Sequence, residues 1–182
     1  DCSNLTSVTL SGTLQKIGRR SFAGTALTRL VLPASMKEIG SNAFEDCHQL
    51  TNVEFNKGIQ YIKDHAFKNS GLASLELPEG IKEIGEWSFE GCKSLKTIQI
   101  PQSVTTLGTG AFYTCSALES VVLPSSLTNI GDRTFNGCCH LSAVYYLGSS
   151  CPSLGQNTFV DVSNDFGFYV KPSALPVLQG IA

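Results

Sequence analysis

The sequence predicts an α/β repeat. It reads as one continuous solenoid whose coils of 22 or 23 residues each carry one short parallel strand, closed by a C-terminal cap. Three observations predict this. Hydrophobic residues fall into register when the chain is cut at Leu5, Leu27, Leu50, Leu72, Leu95, Leu118 and Leu141. Phenylalanine occupies the eighteenth position each time, at Phe22, Phe44, Phe67, Phe89, Phe112 and Phe135, with Phe159 following one inserted residue. Proline and glycine hold two further fixed places in most coils and punctuate the turns.

Each element follows from its columns. The fourth position (Val8, Leu30, Val53, Leu75, Ile98, Val121, Val144) and the sixth (Leu10, Leu32, Phe55, Leu77, Ile100, Leu123, Tyr146) alternate with more polar neighbours. That two-residue period belongs to a short strand buried on one face. Proline at the seventh position (Pro33, Pro78, Pro101, Pro124) ends the strand because it lacks the donor a ladder needs. Glycine at the fourteenth (Gly18, Gly40, Gly85, Gly108, Gly131) predicts a tight turn with positive φ. Lys63 holds that place in the third coil and predicts a local distortion. The segment around each phenylalanine has room for about one helical turn.

The twenty-first position is Cys47, Cys92, Cys115 and Cys138, where a small apolar thiol suits a packed return. Coils one and three are one residue shorter there, as "FAGTAL" and "FKNSGL". Cys2 stands in the same relation to Leu5, so the chain starts at the tail of an earlier repeat and the first coil is read as truncated. One coil cannot bury its own columns, so the coils must stack. Residues 1–147 are expected to form the repeats, and residues 148–182 a degenerate last repeat and cap. The cap is expected to hold a strand in "FGFYVKP", with Phe168 and Val170 inward, and a short helix from Ser173 to Gly180.

Composition narrows the function classes. Thirteen basic and fifteen acidic residues give a net charge of −2 with no basic stripe, which argues against nucleic acid. Apolar runs are far too short for direct membrane insertion. No nucleophile elbow, zinc-protease motif, phosphate loop or dinucleotide fingerprint occurs. The histidines His48, His65 and His140 occupy three different repeat positions, and the cysteines lack paired zinc spacing. Catalytic residues, metal and cofactor are therefore all expected to be none. Cys139 and Cys151 lie outside the column. A packed thiol is expected at Cys151, while Cys139 is open to a bond with Cys151 or with an outside partner. Glu54 and Glu76 fall side by side on adjacent strands and read as a solvated pair on an open surface. "NLT" at residues 4–6 fits a glycosylation sequon but surrounds a core position.

The candidate binding residues lie on the strand's outward positions. The third and fifth positions present Arg29, Glu54, Glu76, Gln99, Val122 and Tyr145, a row that runs from acidic to apolar. Trp87, beside His65 at the sixteenth position, is a second candidate, because exposed tryptophan marks contacts. It can equally pack over its neighbour.

The pattern L-x-x-V-x-L-P-x-S-L-x-x-I-G-x-x-A/T-F-x-x-C, seen nearly whole in "LESVVLPSSLTNIGDRTFNGC" at 118–138, resembles the BspA-like (Treponema pallidum type) leucine-rich repeat. The resemblance covers residues 1 to about 160. It implies a leucine-rich-repeat solenoid, displayed on a cell surface or secreted, that acts in adhesion or binding of host proteins, and with no catalytic motif present the module is expected to be non-enzymatic. The implied partner is a protein ligand such as a host extracellular-matrix or surface protein. A structural spacer and a targeting arm of a larger surface protein or enzyme stand as alternatives.

Overall fold

Alternation at the third to sixth positions produces the strands Arg29–Val31, Asn52–Glu54, Thr97–Gln99, Ser120–Leu123, Ala143–Tyr146 and Gly167–Val170 in the computed structural model, which describes residues 2–170. They pair in parallel with the buried column in register: Leu30 opposite Val53, Ile98 opposite Val121, and Val144 between Val121 and Phe168. This set is the face sheet. The expected helix from Ser173 to Gly180 lies outside the described residues.

A second strand in each coil corrects the one-strand expectation. The pairs Lys16–Ile17, Glu38–Ile39, Tyr61–Ile62, Glu83–Ile84, Thr106–Leu107, Asn129–Ile130 and Ser153–Leu154 make a seven-stranded parallel sheet. Each strand is two residues long, with the second buried or half-buried, so no run of alternation announces it.

The α/β class is corrected as well: the described residues contain no α-helix. Left-handed residues at the sixteenth and twentieth positions forbid one. Arg20, Asn42, His65, Trp87, Gly110 and Arg133 have φ of 55–58°, and Gly24, Asp46, Asn69, Gly91, Thr114 and Gly137 repeat the conformation four residues on, at 54–75°. Backbone donors are then shared alternately. Asn42, Phe44 and Asp46 donate across to Asp64, Ala66 and Lys68 of the next coil at 2.8–3.0 Å. Ala43, Glu45 and Cys47 close turns three residues back in their own coil at 3.2–3.3 Å.

Those left-handed positions also correct the reason for the glycine column. Gly40, Gly85, Gly108 and Gly131 do not have positive φ; a Cβ there would meet backbone of the preceding coil at 2.6–2.8 Å, and at Gly85 also the Asp64 Oδ1 at 2.6 Å. Close approach, not left-handed geometry, excludes a side chain. Lys63 causes no break in the ladder: its N–H reaches Ile39 O at 3.0 Å, as Gly85 N–H reaches Ile62 O at 2.9 Å.

Inside, Phe22, Phe44, Phe67, Phe89, Phe112, Phe135 and Phe159 form one continuous stack with ring centroids 5.3–5.6 Å apart and planes within 7°. The middle five are fully buried. Phe166 and Phe168 close around Phe159, and Phe168 also leans on Tyr146, so the last described coil ends in an aromatic cluster.

Candidate interaction face

The face sheet brings the outward residues of successive coils into one row. Val31 stands opposite Glu54, Glu76 bridges to Gln99, and Gln99, Val122, Tyr145 and Tyr169 follow in unbroken register. Six of the seven candidates therefore share this face: Arg29 in the column beside the row, and Glu54, Glu76, Gln99, Val122 and Tyr145 within it. Arg29 forms an ion pair with Glu54. Glu76 is exposed and has no ion-pair partner among the described residues. At the other end Tyr145 and Tyr169 stack at 5.2 Å while remaining 46% and 53% exposed, far above the apolar columns. Tyr169 joins the site although the sequence argument used only its inward neighbours. The signal was there, since a residue between inward Phe168 and Val170 must point out.

The face is interrupted twice, and Glu54 and Glu76 do not lie on paired strands as expected. Residues 52–54 and 74–76 share no ladder, and neither do residues 7–9 and 29–31. Both breaks follow a return one residue short, at 22–27 and 67–72. A shorter return starts the next strand early and shifts its amides out of reach of their partners. Each break opens a cleft. One of about 490 Å³ is lined by Ser7, Val8, Thr9, Leu10, Arg29, Val31 and Pro33. The other, about 390 Å³, is lined by Asn52, Val53, Glu54, Phe55, Ser74 and Glu76. Its apolar part is Val53, nearly buried, and Phe55, whose ring meets Phe67 edge-on at 6.1 Å.

Trp87 lies elsewhere, on the turn segment. A Cβ on Gly110 would strike its ring at 2.1 Å, so the indole lies directly over that glycine. Tyr113 meets it edge-on at 5.3 Å. His65 occupies the matching place one coil earlier and is likewise half-buried.

Chemistry at the sulfur column is suppressed by burial. Cys47, Cys92, Cys115 and Cys138 donate to the carbonyls of Phe22, Phe67, Phe89 and Phe112 of the preceding coils at 2.9–3.3 Å. Thr25 and Ser70 take the same place in the short coils, each beside the next coil's sulfur at 3.3–3.4 Å. Burial pushes the Cys138 thiol up to about 12 and raises Cys115 and Cys47 in the same direction. All seven cysteines are free, with Cys2 and Cys139 exposed, so Cys139 and Cys151 are not joined. Among the described residues, no three His, Cys, Asp or Glu side chains gather to hold a metal, and no helix is long and apolar enough to cross a membrane.

Stacked phenylalanines, buried leucine and isoleucine columns and an exposed parallel face define a leucine-rich-repeat solenoid. The chain belongs to the BspA type leucine rich repeat family, whose repeat region matches in six copies over residues 1–96 and 37–165. The fold of a leucine rich repeat protein from T. pallidum is similar, with a TM-score of 0.81 and 30% identity, covering 93% of this chain and 77% of that one. A leucine-rich repeat protein from Bacteroides ovatus shares the fold at a TM-score of 0.60 and 23% identity. This chain is covered to 95% in that comparison but spans only 53% of the B. ovatus protein. Comparison with curated proteins finds no match. The family supports a protein-interaction module.

Proposed function

We propose that the chain is a non-enzymatic adhesion module, displayed on a cell surface or secreted, that holds a host matrix or surface protein across the face sheet. The observation that carries the reading is the row itself. Its buried neighbours repeat coil after coil, whereas its outward members change from carboxylate to amide to valine to a stacked tyrosine pair. Half-exposed tyrosines at the end of a row that also carries carboxylates and an amide have the chemistry of interface anchors. Immobilised matrix proteins provide the test. Glu76→Lys with Tyr145→Ser should weaken capture by about tenfold or more if these side chains anchor the ligand. Capture that survives both changes removes the face from consideration. Antibody labelling of intact source cells tests display.

A spacer is the second reading, favoured by the seven-stranded sheet that runs without a gap from Lys16 to Leu154. Adhesion that ignores face substitutions and falls only when coils are removed supports it.

A further inference from the structure

We infer that the face takes an extended protein segment carrying a lysine or arginine and, about four to six residues away, an apolar side chain. The inference rests on the protein-binding reading above and adds the chemistry of the occupant.

The cleft between coils three and four has two kinds of wall. Val53 and Phe55 offer carbon, while Glu54 and Glu76 supply carboxylates at the same opening, with Asn52 and Ser74 beside them. A long aliphatic stem ending in a cation matches both, because the stem lies along the carbon and the head reaches the charge. Glu54 is already engaged by Arg29, so the uncompensated charge belongs to Glu76. An acidic side chain is repelled there, which gives the face selectivity as well as attraction. The apolar requirement comes from the far end. Val122 and the Tyr145–Tyr169 stack continue the same row, with the two tyrosine rings half-exposed. Three rungs separate Glu76 from Tyr145, about 14 Å at the usual strand spacing of roughly 4.8 Å. An extended chain rising about 3.3 Å per residue spans that in about four residues, and reaches Tyr169 in about six. A free cation or small amine occupies only the cleft and leaves the tyrosines unused.

Random twelve-residue peptides displayed on phage test this when selected on the full chain. The control is a Glu54→Gln, Glu76→Gln, Tyr145→Ser variant, whose circular dichroism checks that three exposed changes leave the fold intact. Enriched sequences should share a basic residue about four to six positions from an apolar one. Their synthetic forms should bind the variant about tenfold more weakly, and lose a similar factor when the basic residue becomes glutamate. Peptides that need Tyr145 but carry no basic residue overturn this inference and leave the protein-binding reading standing. Enrichment indifferent to all three changes, or no enrichment, overturns both.

Discussion

A methyl group on Gly108 would sit 2.7 Å from Glu86 N and Gly85 C, backbone atoms that cannot swing aside. Gly108→Ala should therefore cost about 3 kcal/mol in a denaturant titration, at the upper end for overpacking. Gly12→Ala, with nothing within 4 Å, should stay within about 0.5 kcal/mol. The buried thiols act through pH. The folded chain keeps the Cys138 proton up to about 12, whereas an unfolded thiol releases it near 9. The raised folded value means stability is complete below about pH 9 and declines above it, by about 1.4 kcal/mol per pH unit for each such thiol. Stability measured from pH 8 to 10.5 should fall, and Cys115→Ala with Cys138→Ala should flatten the fall. A profile unchanged by those substitutions rules the thiols out as its cause.

Coil length is the element-scale variable. Inserting one residue after Ser70 lengthens the short return and should restore the ladder between residues 52–54 and 74–76. Hydrogen exchange reads this directly: amides at 74–76 should exchange quickly in the native chain and slow by an order of magnitude or more after the insertion. If they are already slow, the break is not there. The breaks were written in the sequence as 22-residue coils, but length alone does not say whether a missing residue is absorbed in the return or passed on to the next strand. The buried columns were legible because phenylalanine, leucine and isoleucine recur at fixed spacing. The second sheet was not, because two residues carry no periodicity. The short turns were not legible as left-handed because their positive-φ residues include Trp87, Arg20 and Arg133, types that rarely adopt positive φ. The outward row was legible down to Tyr145, yet its clefts depend on lateral offsets that no column records.

Across the whole molecule, stability is the sum of each coil and its contacts with two neighbours. Phe112 stacks on Phe89 and Phe135 and is fully buried, whereas Phe22 contacts one ring and is partly exposed. Phe112→Ala should cost about 3–5 kcal/mol and split thermal unfolding into two steps, while Phe22→Ala should cost less and leave one. Calorimetry distinguishes the outcomes; equal losses at both sites mean the stack does not transmit cooperativity. Ion pairs tie the same neighbours with a constant direction. Lys16–Glu38, Arg20–Glu45, Arg29–Glu54, Lys63–Glu83, Lys68–Glu90 and Lys96–Glu119 all run from a base in one coil to a glutamate in the next. Each pair is worth little by itself at the surface. Their common direction gives coils two and three a donor side and an acceptor side each, like a toy brick with studs above and sockets below. A gene that duplicates one such unit in tandem adds a piece that already fits, so the rod can change length over generations without any redesign of its joints.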